Sequence, residues 1–256
     1  MSDMSLYSWG ARALYLGPAL RLTPHRNAVA VLVLGLDAPF GVANDPQRPQ
    51  AGYRRCRSVF IPPNTLHHLA DTRGRMAFLY VDARSHDRDR LGSLAAKRTP
   101  RAAFDLSIEA PLIDVLRRLS DGQASWKETR QALAAHLSQP PAKVIDPRIR
   151  DALAKLHAEP ACRVALADLA PSVRLSESRL LHLFKQAVGV PFRRYKLWIA
   201  MGAAMRTMAA GENLTAAALD AGFASSAHFS ATFREMFGLE PSRLSRGRLE
   251  QPGLAP

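Results

Sequence analysis

The chain has 256 residues, 47% of them hydrophobic, enough for one large core or two ordinary ones. It carries 35 Lys and Arg against 22 Asp and Glu, a formal charge of +13, which favours an acidic partner: nucleic acid first, an anionic membrane second. Two cysteines give no disulfide framework, the first residues lack the pattern of a signal peptide, and no apolar run reaches transmembrane length, so a reducing cytoplasm is expected, without membrane contact.

From Ala13 to Val81 the pattern reads as strand. Ala28 to Leu36 is β-branched and apolar between Asn27 and Asp37, and shorter strands are expected at Ser58–Ile61, Leu66–Leu69 and Met76–Val81. Pro62, Pro63 and Asn64 signal a turn. Short strands with such turns suggest a small sandwich or barrel. After Asp82 the pattern turns helical. Leu112, Val115, Leu116 and Leu119 share a face, and Trp126 to Leu137 is a second helix. Gln139, Pro140 and Pro141 break it, which places a linker at 139–145 between domains at 1–138 and 146–248. Asp146 then caps a new helix with Pro147 in its first position. The tail beyond Arg248 is expected to lack structure.

The rest is organised as a repeat. Leu180, Phe184, Lys185 and Gly189 recur 49 residues later as Phe229, Phe233, Arg234 and Gly238. Each copy has a run-up, Ala170 five residues before Leu175 and Ala218 five before Phe223. Each unit reads as a short helix, a tight turn and a longer helix. In the first long helix Leu180, Leu183, Phe184, Ala187 and Val188 form the apolar stripe, and Ser178, His182, Lys185 and Gln186 lie opposite. In the second, Phe229, Phe233, Met236 and Phe237 face inward, and Ala227, Ala231 and Arg234 face away. Ser176 is a good N-cap. Gly222 suits the positive φ of the second turn; the first has no glycine, so Pro171 to Arg174 must make it otherwise.

Charge points the same way locally though not by halves. Residues 1–138 hold 19 basic and 12 acidic side chains and residues 139–256 hold 16 and 10, but between Arg174 and Ala210 seven basic residues face the single Glu177.

Residues 166–195 and 214–244, and above all the string Gly222, Phe223, His228, Phe229, Phe233, Phe237, Gly238 and Pro241, resemble the DNA-binding domain of the AraC/XylS family of bacterial transcription regulators. The resemblance is close over roughly the last hundred residues and loose before them. It implies an α+β chain: an N-terminal cupin-like β domain with helices, then an all-α domain with two helix-turn-helix units. It further implies a sequence-specific regulator, not an enzyme, working at the nucleoid on double-stranded DNA, with a small-molecule effector in the N-domain, a homodimer, and RNA polymerase as partner if it activates. The helices at 112–119 and 126–137 either carry dimer contacts or simply cover the sheet. Metal-binding or enzymatic cupins with a helical appendage, and a nonspecific architectural DNA binder, are the rival readings.

Base reading and phosphate contact need long polar or cationic side chains. In the first unit these are Ser176, Ser178, Arg179, His182, Lys185 and Gln186, with Leu181 able to meet a thymine methyl. In the second they are Ser225, Ser226 and Arg234, with Ala227 and Ala231 unable to donate to guanine. The first unit is therefore expected to specify and the second mainly to position. His228 reads as structural or phosphate-side. No cofactor is expected. His25 lacks the second histidine of a His-x-His pair, and the adjacent His67 and His68 point to opposite faces of a strand, so no metal is expected either. Cys56 among arginines raises the option of a reactive thiolate, but an inert thiol is the better reading; no hydrolase, nucleotide-binding or zinc-protease pattern is present.

Overall fold

The computed structural model describes residues 4–70, 72–85, 87–137, 145–158, 164–243 and 248–249. Most of the expected linker, Cys162 and the tail from residue 250 lie outside the described residues. The chain divides into two compact units, Met1–Ala142 with Phe237–Pro256, and Lys143–Met236.

The first unit is rich in strands. An eight-stranded sheet runs in the order β10 (Ala95–Arg98), β11 (Ala103–Leu106), β7 (Ser58–Ile61), β4 (Ala30–Gly35), β9 (Arg75–Val81), β2 (Arg12–Pro18), β1 (Ser5–Trp9) and β12 (Arg248–Leu249). Two small sheets pair β3 (His25–Arg26) with β8 (Leu66–His67), and β5 (Phe40–Ala43) with β6 (Tyr53–Cys56). The continuous apolar run of β4 has its physical reason here: all six of its residues are buried, as expected of a strand covered on both faces. Leu32 and Leu34, with Leu14, Leu16, Leu79 and Val81, pack on α2 (Glu109–Ser120) and α3 (Trp126–Leu137) through Leu112, Leu116, Leu133 and Leu137. Alternate residues Val31, Val33, Val59, Ile61 and Phe78 are buried on the other face.

The strand at 58–61 and the helix at 126–137 fall where the sequence placed them. β5 and β6 fall within the stretch Ala13–Val81 read as strand, though not placed individually; β1 and the hairpin β10–β11 were not expected, and the hairpin lies past Asp82 in a stretch read as helical, which also holds the short α1 (Asp87–Ser93). Arg75 at the start of β9 ties the sheet to the end of α2. It donates to both carboxylate oxygens of Asp37, and to Ser120 Oγ at 3.0 Å and Asp121. Trp126, at the head of α3, stacks on Tyr7 with centroids 4.2 Å apart and meets Trp9 edge-on. In the same unit, the Gly238 carbonyl accepts from the N–H and hydroxyl of Thr23, at 2.8 and 3.1 Å.

The second unit is helical. α4 (Pro147–Ala158) begins as expected, with Asp146 Oδ1 accepting from Arg148 N–H at 2.9 Å. α5 (Leu166–Ser172) and α6 (Glu177–Val188) form the first repeat, and α8 (Leu214–Asp220) and α9 (Ser226–Phe237) form the second. α7 (Phe192–Ala209) joins them, buried through Phe192, Tyr195, Ala200, Met201 and Ala204. The α+β class is as the sequence implied: strands and a few helices first, an all-helical unit with two helix-turn-helix motifs second.

Candidate nucleic-acid interface

The first repeat is built around Phe184. Its ring is fully buried and meets Phe192 and Tyr195 edge-on at 5.3 and 5.5 Å. Leu180 and Val188, one turn to either side, are buried with it. Ser176 caps α6 by accepting from Arg179 N–H at 3.3 Å, and Gly189 ends the helix in the left-handed conformation, φ 89°. Once those three side chains fix the inner face, the outer face is determined. Ser176, Ser178, Arg179, Leu181, His182, Lys185 and Gln186 are all exposed. Leu181 is 39% exposed, high for a leucine on a core helix. The side chains of Arg179 and Lys185 make no hydrogen bond or ion pair among the described residues.

The second repeat copies this plan. Phe229 and Phe233 are buried, with Phe223 edge-on to Phe229 at 5.2 Å. Ser225 Oγ accepts from His228 N–H at 3.1 Å, the counterpart of the Ser176 cap. Ser225, Ala227, Ala231 and Arg234 are exposed and Ser226 is half-buried. In both repeats the turn closes with a bond spanning five residues: Leu175 N–H to Ala170 O at 3.0 Å, and Phe223 N–H to Ala218 O at 2.9 Å. These pairs are 48 residues apart, whereas the caps Ser176 and Ser225 are 49 apart. The second turn therefore holds one extra residue, Ala224, whose N–H points to Nδ1 of His228 at 3.4 Å. The His228 ring also packs edge-on against Phe223, so its contacts are those of a turn support.

Three features escaped the sequence. Arg174 takes the left-handed conformation, φ 57°, where the second repeat has Gly222 at φ 84°. Thr232 on α9 is buried beside Phe233 in the sequence. Leu219 on α8 is 52% exposed although its helix packs a core. Only the first had a signal, the missing glycine.

The side chains of interest in the strand-rich unit are arranged differently. His25 and His67 are cross-strand partners, both buried, with ring centroids 4.2 Å apart. Each Nδ1 lies against a backbone carbonyl two residues earlier, Thr23 O at 2.8 Å and Thr65 O at 2.9 Å. Burial lowers both pKa values, that of His67 to about 4. His68 turns the other way, to the Tyr53 hydroxyl at 3.0 Å. No three His, Cys, Asp or Glu side chains gather as a metal site among the described residues. Burial pushes the Cys56 thiol up to about 12, and Asp105 and Glu109 add to this more than Arg54 offsets it. The neighbouring arginines point elsewhere: Arg57 to the carbonyl of Leu36, Arg54 over the Phe104 ring. Such a thiol carries almost no thiolate near neutral pH.

A family described as "Helix-turn-helix domain" matches residues 169–247. Over those residues the chain is similar to AraC-type helix-turn-helix domains. The match takes in the second half of α5, all of α6 to α9, and both exposed faces. Among solved structures, the fold is that of ToxT from Vibrio cholerae. An apo ToxT variant from strain SCE256 is 14% identical, covers 93% of this chain and 98% of its own, and superposes with a TM-score of 0.60. ToxT with a bound unsaturated fatty acid is 13% identical over 91% of this chain and 94% of its own, at 0.55. ToxT from strain O395 bound to (E)-4-(8-methylnaphthalen-1-yl)but-3-enoic acid is 12% identical over 92% and 98%, at 0.58. At such identities the likeness is one of fold. No curated protein matches the sequence. The helix-turn-helix domain makes this chain a DNA-binding protein of the regulator type; among its described residues no helix is long and apolar enough to cross a membrane.

Proposed function

We propose that the chain is a sequence-specific transcription regulator of the AraC/XylS kind, controlled by an organic effector held in its strand-rich unit. The observation that carries this reading is the pair of capped helices, each with a buried phenylalanine beneath and an exposed outer face above, polar on α6, in a chain of charge +13. α6 and α9 enter successive major grooves about 34 Å apart on one face of the duplex. α6 reads bases through Arg179 and His182, with Leu181 on a thymine methyl, and anchors to phosphate through Lys185. Ser176, Ser178 and Gln186 complete its polar contacts. α9 mainly positions: Ser225, Ser226 and Arg234 meet phosphates, and Ala227 and Ala231 offer methyl groups only.

The ToxT structures with carboxylic acids bound make an apolar carboxylate the first effector class to test. A homodimer and a contact with RNA polymerase belong to the same reading. Selection of bound duplexes from a random pool, then titration of the winner and of a scrambled control at one salt concentration, tests it. A regulator prefers its site by roughly 10³-fold or more. Equal affinity for both would leave the architectural reading, and no binding at all would remove the proposal.

A further inference from the structure

Arg174 occupies a position for which its side chain is unsuited. A left-handed residue follows or caps six of the described α-helices, and in five of them it is glycine: Gly122, Gly189, Gly211, Gly222 and Gly238. The sixth, after α5, is Arg174 at φ 57°. Among the described residues the other two non-glycine positions with positive φ are Asn64 and Asp105, whose short polar side chains tolerate that region; arginine has no such excuse. The sister turn shows that the motif accepts glycine, since Gly222 sits in the same closing bond pattern. Strain kept where an unstrained residue fits suggests that the side chain has a use outside the fold.

That use is not internal. Arg174 is exposed, and its guanidinium makes no hydrogen bond or ion pair among the described residues. Several other arginines of this unit are engaged: Arg148 with Asp146, Arg194 with Glu235. Arg174 also stands two residues before the Ser176 cap, beside the helix proposed to read bases. We infer that Arg174 is a phosphate anchor of the first helix-turn-helix unit, clamping the duplex backbone next to the N-terminus of α6, and that its left-handed strain is retained for this contact. The inference rests on the DNA-binding reading above and adds a residue to it.

Arg174→Gly separates binding from folding. With the full chain and a pool of random-sequence duplexes long enough for both units, the slope of log affinity against log salt should fall by about 0.9, the loss of one phosphate contact. That corresponds to an affinity loss of about eightfold at 0.1 M salt relative to 1 M. The melting temperature of the helical unit should rise, because glycine relieves the strained φ. Arg174→Lys, which keeps charge and strain, should restore most of the slope and melt like the parent. An unchanged slope in Arg174→Gly, or a melting temperature that falls, overturns the inference. If the parent itself binds no duplex, it is the DNA-binding reading that fails.

Discussion

At the scale of single residues, two kinds of side chain carry the expected behaviour. Arg179 and His182 stand exposed on α6, with the Arg179 guanidinium unpaired among the described residues, while the matching helix presents alanines. Replacing both with Ala should flatten base preference over one half of the selected site, at about 1–3 kcal/mol per lost base contact. Arg234→Ala should weaken binding evenly across sequences. Should Arg234→Ala shift base preference while the double variant does not, the roles of the two helices are exchanged. The second kind is the buried pair His25 and His67. Burial holds both below the ordinary value near 6.5. Below that value the unfolded chain takes up protons that the folded one refuses, so stability falls as pH falls, down to the region of about 4 for His67. Asp37, lowered mainly by its hydrogen bond from Arg75, loses its contribution only below the carboxylate range, so the window between belongs to the histidines. Thermal unfolding followed from about pH 7 to about pH 4.5 should show a falling transition for the strand-rich unit, and His67→Gln should flatten that slope whatever its baseline. A transition that does not move would mean that the imidazoles are not shielded from water.

At the scale of elements, the two recognition helices are posed by what lies under them. Phe184→Ala and Phe233→Ala each remove a fully buried ring and should cost about 3–5 kcal/mol. Domains hold only roughly 5–15 kcal/mol in all, so each variant should lose hydrogen-exchange protection in its own repeat and lose DNA binding without touching a base. Lys185→Ala is the matched control, with weaker binding and nearly unchanged melting. Ser176→Ala should cost about 1 kcal/mol through the lost cap. These helices were legible because three signals coincide in them: an apolar stripe at helical spacing, a serine ahead, and a glycine behind. The one-residue difference between the turns was also written in the sequence, as the change of offset between Ala170–Ala218 and Ser176–Ser225. The missed hairpin β10–β11 shows what such signals need. Ala95–Arg98 contains no β-branched residue and is mostly exposed, so its strand pairing comes from its neighbours and not from its own composition. β5 and β6 are short, and β6 places arginines beside Cys56, which masks the alternation. The phosphate anchor proposed at Arg174 left a faint trace, the missing glycine of the first turn, but which residue takes the left-handed angle shows only in the fold.

At the scale of the whole molecule, the division into two units sets what can be separated. The sequence places a linker at 139–145 between the two domains, most of it outside the described residues, and α4 of the helical unit starts at Pro147. What the sequence could not foresee is that Phe237 and Gly238 group with the strand-rich unit, because that grouping depends on contacts such as Thr23 with Gly238 across a long stretch of chain. An organic effector bound by the strand-rich unit should raise the melting temperature of that unit as its logarithmic concentration rises. Elemental analysis of untagged protein should find no stoichiometric zinc, iron or nickel; finding one would replace the organic effector with a metal.

The tryptophans are distributed along the same division. Trp9 and Trp126 touch one another in the strand-rich unit, and Trp198, the third in the chain, lies on α7 of the helical one. The stack of Trp126 on Tyr7 brings donor and acceptor rings to within 4.2 Å. Their emission therefore reports the seating of α3 on the sheet, while Trp198 reports the scaffold of the DNA-reading helices. A chain with Trp9 and Trp126 replaced by Phe becomes a single-colour lamp for the helical unit, and its partner with Trp198→Phe does the same for the other. Carboxylates and duplexes can then be titrated against either lamp, and the response of one unit to the other's ligand can be watched optically without a label.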